Sequence, residues 1–364
     1  MEIISLTGPD SHRLKREPGV GSCSLGGPDT DLQVAPGDTI NWSAFDPYST
    51  PAGSHWPRWI TYEGDDTGWA AWSQHRPIEG LTWSPQSAQD LDASRADIHS
   101  LSVRVRRAPL RLVLPPGHNF FAGGDLILFT PVLAPGAQCP TVGFSPTTTL
   151  PIMPALARAA SVSVSVQPLR KPFDCASLLQ FTELRHLQLS GSMTNLEALA
   201  ELRGLTGLHL RFVPEMAGLP SLNAWPELLQ LIAWNVDDRE GKRLRTELRR
   251  AVHEGWEYSS VSKSRSAEWF ATEYRLPFSA WPPKSARAAV KAFRAAEKAV
   301  GTATTEFTVE TAVRGFVAAI NRLPRIETTE REDAQAAVAL LATDTPLGDL
   351  RKPADDWFET TRDF

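Results

Sequence analysis

The chain is 364 residues long, with 42% hydrophobic residues, 22% charged residues and a formal net charge of −5 at pH 7. That is enough apolar material for a sizeable core, either as two or three domains or as one long repeat domain with extensions, and the acidic balance excludes a general electrostatic footprint for DNA, RNA or an anionic membrane. No apolar run approaches the ~20 residues that cross a bilayer, and Cys23, Cys139 and Cys175 lie far apart with no CxxC pair, which points to free thiols rather than a disulfide framework or a zinc site.

Residues 1–36 read as a loosely ordered arm rich in Gly, Pro, Ser and Asp, with GPD turns at 8–10 and 27–29. The opening MEIISLTGPDSHRLKR lacks the charge-then-apolar order of an export signal, so a cytoplasmic location is expected. GVGSCSLGG at 19–27 carries no GKS or GKT and follows no clear strand, so it is not read as a phosphate loop. Residues 37–94 are expected to form a compact β-rich module, because short β-like runs such as WITYE stand there among Trp42, Trp56, Trp59, Trp69, Trp72 and Trp83. Two uses for these rings are open. The preferred one makes the rings the apolar lid from which a repeat array begins, since the start of such an array needs cover and a cytoplasmic location argues against a polysaccharide; the alternative makes Trp56, Trp59, Trp69 and Trp72 a stacking platform for a carbohydrate or peptide. EGDDTG at 63–68 pairs two carboxylates but lacks the DxDxDG spacing of a calcium loop and reads as a solvated turn. An enzyme would use His55, His75, Asp65 or Asp66 beside the tryptophans and would need a pocket there.

From 95 to 264 the texture becomes repetitive. Short alternating runs (HSLSVRV, LRLVLP, DLILFTP, TVGF, SVSVSVQP) give way after residue 168 to strands separated by capped helical turns, DCASLLQF and TNLEALAEL. LRHLQL at 184–189, LTGLHL at 205–210 and LLQLIA at 228–233 share the form LxxLxL, with the last leucine replaced by Ala233. Val164 and Val166 are aligned 23 residues ahead of Leu187 and Leu189, and Val142 and Phe144 extend the array backward. The pattern resembles the leucine-rich repeat, with Ser192, Val213 and Val236 in place of its asparagine. The wider layout is similar to bacterial leucine-rich-repeat proteins of unassigned function, on GDTINWSAFDP at 37–47, SHWPRW at 54–59, APLRLVLPPG at 108–117, SAEWFATEYRLPFSAW at 266–281 and RIETTERED at 325–333. The expected fold is an α/β solenoid with irregular parallel strands, the β-rich N-terminal module ahead of it and an α-helical C-terminal cap over 265–364.

In such an array the leucines point inward and the residues between them form outward columns. The alignment sets Ser163, His186, Gly207 and Gln230 in one column, then Ser165, Gln188, His209 and Ile232, then Gln167, Ser190, Arg211 and Trp234. His186, Gln188, His209, Arg211, Gln230, Ile232 and Trp234 are therefore the candidate partner-binding residues, polar and aromatic as at protein interfaces. His186 and His209 fall in different columns without a third ligand, and neither a metal nor a cofactor is indicated. Catalytic signatures GxSxG and HExxH are absent. The basic run KRLRTELRRAVH at 242–253 is one solvated face of a helix at 239–255. WEYSSVS at 256–262 reads as one more edge strand, followed by helices at KSARAAVKAFRAAEKAVG, VETAVRGFVAAINRLP and EREDAQAAVALLAT. The functional expectation is non-enzymatic recognition of a protein partner, with toxin neutralisation through an acidic surface as one version and a self-associating scaffold as the rival.

Overall fold

The computed structural model describes residues 2–14, 21–47, 58–117, 119–167, 171–251, 255–343 and 345–364. The chain divides into two compact units, Met1–Ala267 and Glu268–Phe364.

The first unit is built on a parallel sheet of twelve strands. In chain order these are β1 (Ser22–Gly26), β2 (Leu32–Gln33), β3 (Trp59–Glu63), β4 (Ile78–Ser84), β5 (Ile98–Val105), β6 (Asn119–Gly124), β7 (Thr141–Ser145), β8 (Ser161–Ser165), β9 (His186–Ser190), β10 (Gly207–Arg211), β11 (Gln230–Trp234) and β12 (Ser260–Ser262). With β2 and β12 at the two edges, the strands between them stand side by side in chain order. Parallel neighbours need a return segment between them. Part of that return is a second, three-stranded parallel sheet (Gln89–Asp92, Leu110–Val113, Phe129–Val132), and later turns use short 3-10 helices such as Cys175–Gln180 and Leu196–Glu201.

Alternation sorts the side chains. One inward column runs Leu25, Tyr62, Trp83, Val103, Ala122, Phe144, Val164, Leu189, Leu210 and Ala233, all buried and all in register from strand to strand. Because Tyr62 and Trp83 share this column with the leucines, the tryptophan-bearing segment belongs to the same sheet. The boundary expected after residue 94 therefore does not separate two β structures. The loosely ordered arm is corrected in the same way: Ser22–Gly26 is a sheet strand, and Leu6, Cys23, Leu25 and Leu32 are buried in the common core. Small, mixed side chains hid that strand, since only Cys23 and Leu25 mark its inward side.

A second correction concerns register. Val162 and Val164, not Val164 and Val166, pair with Leu187 and Leu189, so the step there is 25 residues. SVSVSV offers valines at three alternate positions, and a slip of two keeps every valine inward. The helical turns also differ in detail. Asp174 caps Cys175–Gln180 by accepting from the Ala176 amide at 2.9 Å, whereas Leu196–Glu201 is entered through Asn195 in the left-handed region rather than through Thr194. Just past the strands, Gly191, Phe212, Asn235 and Lys263 stand at equivalent positions and all have positive φ, at 105°, 50°, 51° and 51°. These four turns leave the sheet through the same left-handed step.

The helix α1 (Asp238–Ala251) follows β11 and precedes β12, which pairs with β11 as an edge strand. Two side chains of its basic run are committed. Arg243 binds Glu240, Glu247 and the Leu219 carbonyl, and Arg245 donates to the Val261 carbonyl and Ser264. Glu247 in turn accepts from the Leu222 amide at 2.9 Å. Lys242, Arg249 and Arg250 stay exposed, so the expected solvated face stands beside these two ties between α1 and its neighbours.

The second unit holds α2 (Pro283–Gly301), α3 (Glu306–Asn321), α4 (Thr328–Thr343) and α5 (Arg351–Thr361) around its own core, with Phe293, Phe316, Ile320, Val338 and Phe358 buried. Apolar residues at three and four spacing place one stripe of each helix in that core. Thr305 caps α3 by accepting from the Thr308 amide.

Candidate functional site

The outward side of the sheet is a continuous surface made by every second residue of the strands. One outward column runs Ser24, Thr61, Thr82, Ser102, Phe121, Gly143, Ser163, Gln188, His209, Ile232 and Ser260. A second contains Arg104, Gly123 and Ser145, then Ser165, Ser190, Arg211 and Trp234. Hydroxyls and glycines dominate, and in these strands Glu63 is the only outward carboxylate.

Three outward rings lie across glycines of the following strand. Trp59 covers Gly80, Phe121 covers Gly143 and His186 covers Gly207, each pair in direct register. A Cβ at Gly207 would stand 2.7 Å from His186 Nδ1, and at Gly80 or Gly143 it would run into the ring itself. Glycine in a strand leaves backbone bare, and a ring laid over it restores packing. The second side of the ring still faces water: Trp59 is 44% and Phe121 42% exposed.

Two adjoining depressions open on this surface. The larger, of about 550 Å³, is lined by Arg104, Arg106, Phe121, Gly143, Ser145 and Ser163 among others. The smaller, of about 370 Å³, shares Phe121, Ser163 and Gln188 and continues to His186 and His209. Arg106 meets Glu63 only at 3.9 Å, between half-exposed side chains. Arg104, Gln188 and the hydroxyls of Ser145, Ser163 and Ser165 make no side-chain hydrogen bond or ion pair with another described residue.

The sequence-predicted partner residues fall on this surface in the expected order from β9 to β11, with β8 two positions from where alignment put it. The true columns read Ser161 and His186, Ser163 and Gln188, Ser165 and Ser190. They differ in freedom. His186 and Arg211 are exposed, whereas His209 Nε2 is 2.6 Å from Gln230 Oε1, and Gln230 Nε2 donates to Glu257. Trp234 is half-buried, edge-on to Phe212 at 4.8 Å with the Lys263 amine 5.7 Å from its ring. Ile232 is half-buried beside His209.

The alternative platform does not assemble. Trp69 is fully buried against Trp83, and Trp72 stacks on Trp42 and donates its Nε1 to Asp46. Trp59 alone of the described three lies on the strand face; Trp56 and His55 fall outside the described residues. Nor is EGDDTG a solvated turn. Asp66 accepts from Trp42 Nε1 at 2.7 Å, the Gly68 amide at 2.8 Å and the Ile40 amide, while Asp65 accepts from the amides of Gln86 and Ser87 at 2.7 and 2.9 Å. Burial pushes Asp65 up, but the Ser87 and Gln86 amides outweigh it and hold the carboxyl below its ordinary value. Both acids are structural fasteners for neighbouring turns, and neither depression touches them or His75. Burial raises all three thiols, Cys23 and Cys175 to about 12. Among the described residues no group of three His, Cys, Asp or Glu could hold a metal ion, and no helix is long and apolar enough to cross a membrane.

Sequence reasoning missed Arg104, Phe121, Gly143 and Ser145. They come from three strands with no local motif, and the only available signal was a glycine inside a strand pattern following an aromatic one turn earlier. Comparison with protein-family models, curated proteins and solved structures gave no match.

Proposed function

We propose that the chain is a non-enzymatic recognition protein that binds a protein partner on the outward strand face of a leucine-rich-repeat-type solenoid. The observation that carries this reading is the division of labour across the sheet. Carboxylates and tryptophans elsewhere are consumed in holding turns together, whereas the outward columns keep rings, hydroxyls and guanidinia that make few contacts of their own. Exposed aromatic and Arg side chains amid small neighbours suit a protein interface. The sequential strand order and the LxxLxL turns support the solenoid reading, and the repeated left-handed step after the strand supports it further. Toxin neutralisation through an acidic surface finds no support on this face, whose outward strand positions include one carboxylate.

The test is affinity capture from a native extract with the wild-type chain and S163W, which fills the floor between the two depressions, beside I127E on an exposed residue away from the strand face. One protein held by the wild type and I127E but released by S163W is the expected result. Capture indifferent to S163W removes the face from consideration, and self-association in light scattering with no second protein would replace the reading by a scaffold.

A further inference from the structure

The larger depression inverts the charge balance of the chain around it. Its lining holds two guanidinia, Arg104 and Arg106, and no carboxylate, in a protein with net charge −5. The inversion is felt locally, because charges farther off than about 8 Å are screened at physiological ionic strength. Arg106 is only loosely engaged by Glu63, an exposed pair of the kind that contributes little. Arg104 is exposed and has no partner among the described residues. A guanidinium fork matches a carboxylate with two parallel hydrogen bonds. Beside it the Phe121 ring, lying over Gly143, offers an apolar surface, and the Ser145 and Ser163 hydroxyls are placed to meet backbone polar groups of a ligand. Five strand spacings of about 4.8 Å set Arg211 roughly 24 Å from Arg104 across the sheet, the reach of about seven extended residues.

We propose that this depression anchors an acidic segment of the protein partner. An Asp or Glu carboxylate sits on Arg104, an aromatic or large apolar neighbour lies against Phe121, and the segment crosses the strands toward Arg211. The proposal rests on the reading of the strand face as a protein-binding surface. A nucleic acid fits less well: each strand carries a phosphate every ~3.4 Å of duplex axis, whereas the outward positions between Arg104 and Arg211 are Gly123, Ser145, Ser165 and Ser190.

The experiment is panning of a displayed random heptapeptide library on the full chain, in wild type, R104E and S163W forms, with circular dichroism confirming that each variant is folded. Wild type should enrich peptides with Asp or Glu next to an aromatic or large apolar residue. R104E should weaken the selected peptide at least tenfold, with affinity falling as salt is raised. An oligothymidylate competes in a parallel arm. Absence of enrichment, enrichment without acidic residues, unchanged binding to R104E, or tighter Arg104-dependent binding of the oligonucleotide each overturns the proposal. The two levels separate cleanly. Peptides released by S163W but not by R104E leave the face standing and remove the anchor, whereas peptides that S163W retains remove the face itself.

Discussion

The ring-over-glycine pairs make the sharpest prediction, in the form of a double-mutant cycle at Phe121 and Gly143. An added Cβ at Gly143 would stand inside contact distance of the Phe121 ring and 2.9 Å from Ser163 Oγ, so in G143A the ring must swing off the sheet. Full burial of a Phe side chain stabilises by roughly 1.5–3 kcal/mol. Phe121 is 42% exposed, so its contact with the sheet contributes about 1 kcal/mol on the same scale. F121A loses that contribution. G143A loses it too, but recovers about 0.5–1 kcal/mol from the lower backbone entropy of Ala in the unfolded chain, and should be destabilised by no more than about 1 kcal/mol. With the ring absent, the same Gly-to-Ala change meets only a rotatable serine and should be neutral or stabilising. The double mutant is therefore expected to be more stable than the sum of the singles by about 1 kcal/mol. Urea unfolding of the four proteins, followed by fluorescence, gives the coupling directly. Additivity within about 0.3 kcal/mol would mean that the ring does not rest on the glycine, and the account of the outward face would lose its physical basis.

Other consequences are open to simpler measurements. W234A should cost about 1–2 kcal/mol because its ring packs against Phe212 and Lys263, while R211A should stay within about 0.5 kcal/mol of wild type; equal midpoints in thermal unfolding would contradict that contrast. D66A leaves the Trp42 indole N–H and two amides without their acceptor and should lower stability by about 2–4 kcal/mol, checked by urea midpoint. Cys23 and Cys175 stay protonated until about pH 12 in the folded chain, so a thiol reagent at pH 8 should modify them about a thousandfold more slowly than unfolded cysteine. Asp65 has its folded-state carboxyl below the ordinary 3.8, so its contribution is present above that pH and is lost as pH falls through the lower folded value. D65N should flatten the acid limb of the stability curve, and an unchanged limb would show that the Gln86 and Ser87 amides do not discriminate the charged form.

What the sequence disclosed depended on how strongly each strand is marked. Leu187, Leu208 and Leu231, with their partners two residues on, fix both face and register, so the columns from β9 to β11 were legible residue by residue. At β8 the same rule fixed the face but not the register, because alternating valines are self-similar under a shift of two. Around β1 the inward residues are a cysteine and a leucine among serines and glycines, and turn composition outweighed them. The reading of the tryptophans as core agrees with the burial of Trp42, Trp69 and Trp83. Their density suggested one cluster, but the chain distributes them: Trp69 and Trp83 go to the core, Trp72 and Trp42 to each other and to Asp46 and Asp66, and Trp59 to the opposite face. Arg104, Phe121 and Gly143 acquire meaning only when three strands are laid side by side, and no local pattern spans those turns.

The strict succession of strands also sets how the first unit bears mechanical load. Force applied along the strand-to-strand direction meets the inter-strand hydrogen bonds of one edge strand at a time, because from β3 to β12 neighbours in the sheet are neighbours in the succession of strands. The unit should then lengthen in small successive steps rather than in one rupture. At ~3.6 Å per residue, peeling the turn between Ser163 and Gln188, 25 residues, would release on the order of 90 Å of chain. A partner stretched across several strands would rivet those turns together, and its presence would be read as a run of missing steps in an optical-trap record.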